Sequence, residues 1–307
     1  MLVPFPIPNH VLDHPLLEEK GLELVIKRLD LVHPEVSGNK FYKLKYNLAE
    51  AQKKGLDTLL TFGGAFSNHI YATAKAASSE NLNAIGIIRG DKITPLNPTL
   101  QAAEESGMEL HFISREAYRK KTEIHFIQDL REKFGDFYLI PEGGTNELAI
   151  KGTSQILDPE AKRQSHIAVS IGTGGTFSGL AKRISKDQFL MGFSSLKGNF
   201  IHVEIDQMLK KNDINPSGSY SIFDQYHFGG YGKYTQELIE FIWWFYEKFG
   251  IPLDPIYTGK LMFGIWDLIK KDYFKAGSKI LAIHTGGLQG NRGFTKMTGI
   301  KLPPPSM

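Results

Sequence analysis

The sequence predicts an open α/β architecture in two parts, each a mostly parallel sheet layered with helices. Short apolar runs alternate with longer amphipathic stretches, the pattern of parallel strands joined by crossover helices. Glycine-rich segments follow four of the apolar runs, where loops at the carboxyl ends of such strands meet a ligand crevice. At 307 residues the chain is also long for one compact core.

The elements follow in order. Leu22–Lys27 is the first apolar run, and Lys43–Lys54 is the amphipathic stretch after it. Thr58–Phe62 ends on Gly63–Gly64 and leads into a helix over Ser67–Glu80. Ala84–Ile88 and Glu109–Ile113 are strands flanking a helix at Asn97–Ser106, and one helix is expected over Arg115–Phe134. Phe137–Ile140 ends on Gly143–Gly144 before a helix at Glu147–Leu157. Ile167–Ile171 runs into Gly172–Gly175 and a helix at Thr176–Lys186. Helices at Tyr234–Phe249 and Lys260–Lys271 precede the last strand, Lys279–His284, which ends on Gly286–Gly287. The stretch from Gly192 to Tyr231, rich in Gly, Ser, Asn and Tyr, reads as an irregular connection that covers a site. The expected division is a smaller domain at 44–150 inserted into a larger one made of 1–43 and 151–307, with Lys40 near the hinge.

Composition narrows the function. The net charge is +3 with basic and acidic residues interspersed, so the concentrated basic face of a nucleic-acid binder is missing. The chain has no cysteine, which removes disulfides, thiolate nucleophiles and Cys-based zinc sites. The ten histidines show no metal-ligand spacing, and no metal is expected. The first residues lack the basic and apolar regions of a signal peptide, and no apolar run reaches membrane-spanning length. A cytoplasmic protein is expected, with no membrane or nucleic-acid partner.

Five segments carry chemistry. Gly172-Thr173-Gly174-Gly175-Thr176 follows a strand and opens a helix, so backbone N–H groups and hydroxyls converge on an anion. It matches neither a Walker loop nor G-x-G-x-x-G, and an ordinary tight turn is the plain alternative. Ser37-Gly38-Asn39-Lys40-Phe41-Tyr42-Lys43 places two lysines three residues apart on one helix face. A lysine whose proton is removed can form an imine with an aldehyde cofactor, although most lysines are solvated surface residues. Gly63-Gly64-Ala65-Phe66-Ser67-Asn68-His69 offers N–H donors, a hydroxyl and an amide to a carboxylate, or simply caps its own helix. Asp254-Pro255-Ile256-Tyr257-Thr258-Gly259-Lys260 and His284-Thr285-Gly286-Gly287 complete the set. A packing tyrosine and a satisfied core histidine are the bland readings of these two.

In this order the segments resemble one family, from roughly Lys27 to Gly287. It is the group of 1-aminocyclopropane-1-carboxylate (ACC) deaminase and D-cysteine desulfhydrase, within the tryptophan synthase β-like, fold type II class of pyridoxal-phosphate enzymes. Gly38-Asn39-Lys40 separates it from sulfhydrylases and threonine or serine dehydratases, which carry an Asn-x-x-x-(Thr/Ser)-Gly-Ser-Phe-Lys type segment. The resemblance implies pyridoxal 5′-phosphate as cofactor, with Lys40 joined to it as an aldimine and moving protons at the substrate α-carbon. It implies that Lys43 and Gly172, Thr173, Gly174, Gly175 and Thr176 hold the cofactor phosphate. Asn68 is implied at the cofactor 3′-oxygen, and Ser67, Asn68 and His69 at the substrate carboxylate. Tyr257 would stand over the reacting carbon, with Tyr231 of Gly229-Gly230-Tyr231-Gly232 as the second tyrosine. A small amino acid is the implied substrate and a homodimer the expected assembly.

Two positions separate the family's activities. ACC deaminases typically show Tyr-Glu-Gly-Lys and His-Leu-Gly-Gly, whereas this chain has Thr258 and Thr285 at the variable positions. A carboxylate keeps the pyridine ring protonated and strengthens its electron sink; a neutral hydroxyl does not. Opening ACC cannot begin at an α-proton, because that carbon has none, and so demands the stronger sink. Loss of a thiolate from a β-carbon demands less, so β-elimination from D-cysteine to pyruvate, ammonia and sulfide is the expected reaction. ACC deamination to 2-oxobutanoate and ammonia is the alternative. A cofactor- or amino-acid-binding relative without turnover is a reading of another class, opposed by Lys40, Lys43, Asn68 and Tyr257. A nicotinamide oxidoreductase is weaker, since its glycine fingerprint is missing.

Overall fold

A computed structural model describes residues 2–305. Among these residues ten strands form two sheets: β1 (Asn9–Val11), β2 (Glu23–Arg28), β3 (Thr58–Gly64), β4 (Asn83–Arg89), β5 (Met108–Ile113), β6 (Tyr138–Ile140), β7 (His166–Ile171), β8 (Phe189–Ser194), β9 (Ser219–Phe223) and β10 (Lys279–His284). The larger sheet has the order β1-β2-β10-β7-β8-β9 and the smaller β5-β4-β3-β6. Every pairing is parallel except β1 on β2.

Both sheets are covered on two faces because their strands are apolar at consecutive positions. Along β10, Leu281 and Ile283 enter one core, while Ile280 and Ala282 enter another on the opposite face. In the smaller sheet Leu59 packs with the first core, and Leu60 and Phe62 face a third. A strand with both faces buried has few polar positions, which is why these runs stood out in the sequence.

Two expectations are corrected. The Gly192–Tyr231 stretch is not irregular throughout: it holds the end of β8, a helix at Phe200–Lys211 and β9. These elements extend the larger sheet beyond β7, and Ile201, Ile205 and Leu209 give the helix a buried stripe. The single helix over Arg115–Phe134 is two, Arg115–Arg119 and Ile124–Phe134, because Glu123 is extended (φ −76°, ψ 137°).

The carboxyl ends of β2, β7 and β10 lie side by side, and the end of β3 faces them across a cavity of about 1300 Å³. The turn Gly143–Gly144 and the loop Gly172–Thr176 also border this cavity, so the glycine-rich segments share one cleft.

Candidate active site

Lys40 is held by its neighbours on both sides. Gly38 (φ 70°, ψ −154°) turns the chain into the helix Asn39–Lys53. The Asn39 backbone N–H donates to the Thr285 carbonyl (3.2 Å), and its side-chain amide donates to Thr176 Oγ1 (2.7 Å). Asn39 Oδ1 in turn accepts from Lys40 Nζ (3.2 Å). Asn39 therefore ties the Lys40 turn to the strand end at Thr285 and to the glycine loop. Burial pushes the Lys40 ammonium down to about 8, against the opposing pull of the Asp254 carboxylate.

Lys43, one turn on, is fully engaged. Its ammonium donates to the Gly143 carbonyl (2.8 Å), Thr145 Oγ1 (2.9 Å) and Thr173 Oγ1 (3.2 Å). Burial and the Lys40 charge both depress its pKa. Its nitrogen, beside Gly175, is already engaged by three acceptors. The first-turn N–H groups of the helix Gly175–Ala181 lack intrahelical partners and border the same space.

Ser67 caps the helix Asn68–Ser79, its Oγ accepting from the N–H groups of His69 (3.2 Å) and Ile70 (3.3 Å). The hydroxyl proton is left to donate elsewhere. Asn68 Oδ1 accepts from the Gln289 side chain, and its amide nitrogen faces Gly287. His69 turns away into the protein: its ring bonds Thr61 Oγ1 (2.8 Å) and is buried against the Gly144 turn. Burial and the two nearby lysines hold it neutral. His69 borders the cavity, while its ring bonds Thr61 and its backbone N–H belongs to the Ser67 cap.

Tyr257 and Tyr231 meet at the mouth, ring centroids 6.2 Å apart and edge to face. They are hydrogen-bonded, and burial drives the Tyr257 phenol well above its ordinary range, so it stays a proton donor. Tyr257 also rests on Gly172, where a Cβ would lie 3.1 Å from its ring. Thr258 stands apart from the cavity wall. Its hydroxyl donates to Asp254 Oδ2 (2.6 Å) and accepts the Asp254 N–H (2.8 Å), as a fully buried part of a helix cap. Thr285 does line the cavity, its hydroxyl 3.2 Å from that of Ser170.

Several participants escaped the sequence reading. Ser170 was an unremarked strand residue. Asp254 accepts the N–H groups of Ile256, Tyr257 and Thr258, and an Asp-Pro pair before a helix signals such a cap. Beneath the Thr285 turn Asp30 forms a buried bidentate pair with Arg28 (2.8 and 2.6 Å) and meets His284 Nδ1 (3.2 Å). His284 Nε2 donates to the Pro252 carbonyl (2.8 Å), so this histidine is a satisfied core residue.

A deprotonatable lysine at the cavity wall, beside a threonine-rich anion loop and several hydroxyls, fits a phosphorylated aldehyde. The comparisons decide it: residues 7–286 match the family described as PALP, pyridoxal-phosphate dependent enzyme. The chain belongs to the pyridoxal-phosphate dependent enzymes. An Arabidopsis thaliana relative named bifunctional D-cysteine desulfhydrase/1-aminocyclopropane-1-carboxylate deaminase, mitochondrial, is 32% identical over 94% of this chain and 78% of its own. The crystal structure of an ACC deaminase homologue superposes with a TM-score of 0.83 at 29% identity, covering 97% of this chain and 94% of that one. The processed form of threonine deaminase isoform 2 from Solanum lycopersicum shares the fold, with a TM-score of 0.68 at 16% identity. The protein is a pyridoxal-phosphate dependent enzyme of the ACC deaminase-like kind. No helix among the described residues is long and apolar enough to cross a membrane.

Proposed function

We propose that the protein eliminates a β-substituent from a small amino acid, D-cysteine foremost, with water giving pyruvate, ammonia and sulfide. The observation that carries this is the buried hydroxyl pair Ser170–Thr285, which offers neutral hydrogen bonds to a pyridine nitrogen and no charge. The cofactor supplies an electron sink when the α C–H bond breaks; the remaining work falls to the chain. Lys40 would be the cofactor lysine, and its low pKa makes a neutral amine available to take the α-proton. Ser67 and the N–H groups after it would bind the carboxylate, and Asn68 the cofactor oxygen. Tyr257, kept protonated, would donate to the departing sulfur, with Tyr231 beside it. Gly172 to Thr176, with Lys43 beside them, would hold the phosphate.

Thr258 does not carry the part the motif argument gave it: its hydroxyl belongs to the Asp254 cap, and the pyridine-facing task would fall to Thr285. The wider proposal comprises a 44–150 domain set against the rest, a homodimer and a cytoplasmic location. Side-by-side assays of the reconstituted protein test the activity. Sulfide from D-cysteine should exceed 2-oxobutanoate from ACC in kcat/KM, and the reverse order would replace elimination by ring opening.

A further inference from the structure

Lys260 is a buried cation that the reading above leaves without a task. It lies three residues after Tyr257 in the helix Thr258–Lys270 and is 1% exposed. Its ammonium donates to two neutral groups, the carbonyls of His227 (2.8 Å) and Gly230 (2.9 Å). The nearby Asp254 carboxylate attracts it but accepts its own hydrogen bonds from the helix start. Burying an ammonium is unfavourable, and an apolar side chain would fill the same space with less penalty. What the cation grips is a segment with little regular structure of its own. Phe228, Gly229, Gly230 and Gly232 have φ of 50°, 94°, 114° and 70°, and Tyr231 stands among them. The two gripped carbonyls also close the backbone turns, accepting from Gly230 N (3.0 Å) and Lys233 N (3.1 Å).

We propose that Lys260 is a positioning residue whose ammonium, donating to the His227 and Gly230 carbonyls, fixes Tyr231 against Tyr257 at the cavity mouth. One helix then bears Tyr257 at its start and grips the Tyr231 loop a turn later, giving both phenols a common frame. The inference rests on the reading of Tyr231 as substrate-facing, and its test separates the two.

In the holoenzyme, Lys260→Met is compared with wild type by amide hydrogen exchange of the peptide spanning 226–234. Exchange there should accelerate by about tenfold or more, while peptides around Lys40 stay unchanged. On whichever of D-cysteine and ACC the wild type turns over, kcat/KM should fall by about 10- to 100-fold. Adding Lys260→Met to Tyr231→Ala should then change turnover by less than about twofold, because the two act as a unit. Unaltered exchange, or losses that multiply in the double variant, would overturn the proposal. Should Lys260→Met fail to fold, Lys260→Gln carries the same comparison, since its amide is too short to reach both carbonyls. If Tyr231→Ala keeps wild-type turnover, the substrate role of Tyr231 fails, and the exchange result still decides the clamp.

Discussion

Replacing Gly38 by alanine should disable the Lys40 turn while leaving the rest of the fold in place. A Cβ at Gly38 would lie 2.0 Å from the Thr285 carbonyl oxygen and 2.7 Å from its carbon. Carbon–oxygen contacts settle near 3.3 Å, so the two segments must part by roughly 1.3 Å. The atoms met are backbone, at a strand end packed over the Asp30–Arg28 pair, and have no rotamer to change. Such a separation breaks the Asn39 N–H bond to Thr285 and moves Lys40, and misplacement on this scale lowers turnover by about 100-fold. Gly135 is the matched control, with nearly the same backbone (φ 75°, ψ −157°) and nothing within 4 Å of an added Cβ. Both substitutions carry the glycine-region penalty of about 1–3 kcal/mol, but only Gly38→Ala meets the carbonyl. Thermal denaturation and steady-state kinetics of the pair, each loaded with cofactor, give the comparison. Gly38→Ala retaining wild-type turnover would refute the reasoning, as would a Gly135→Ala variant equally inactive.

Three further predictions concern charge. Thr258→Glu would press a second carboxylate against buried Asp254, so it should destabilise the fold by about 3–5 kcal/mol and gain no ACC activity; a stable variant that opens ACC would contradict this. Lys40 near 8 rather than 10.5 means roughly 300-fold more neutral amine at neutral pH, so cofactor attachment should level off above about pH 8. Because the unfolded chain binds that proton up to 10.5, wild-type apoprotein should gain stability relative to Lys40→Met as pH rises from 8 to 10.5. A profile still climbing at pH 10, or a stability difference flat across that window, would count against a depressed Lys40.

The strands of the two sheets were legible where both faces are buried, as in β7 and β10, since consecutive apolar residues leave an unbroken run. β8 was missed because Gly192 interrupts its run. That glycine exists to admit Ile171 and Phe177, 2.4 and 2.8 Å from where its Cβ would sit, a contact no local pattern reveals. The cavity's glycine loops and lysines could be read from motif order. Their division of labour could not, because it depends on who occupies whose donors. Lys43 is saturated by Gly143, Thr145 and Thr173, residues 100 or more positions away. Thr258 and Thr285 look equivalent as substitutions, yet one caps a helix and the other lines the cavity. Lys260 and Ser170 acquire meaning only from partners brought in by other strands and loops.

Three lysines, Lys40, Lys43 and Lys260, all have depressed pKa values and stand close to the same cleft. Which of them carries the cofactor is the central question for the chemistry described. Borohydride reduction of the loaded protein followed by peptide mass mapping answers it directly. The adduct should fall on Lys40 alone and vanish in Lys40→Ala, because Lys43 and Lys260 are tied to carbonyl and hydroxyl acceptors. An adduct on Lys43 or Lys260 in the wild-type protein would contradict the account.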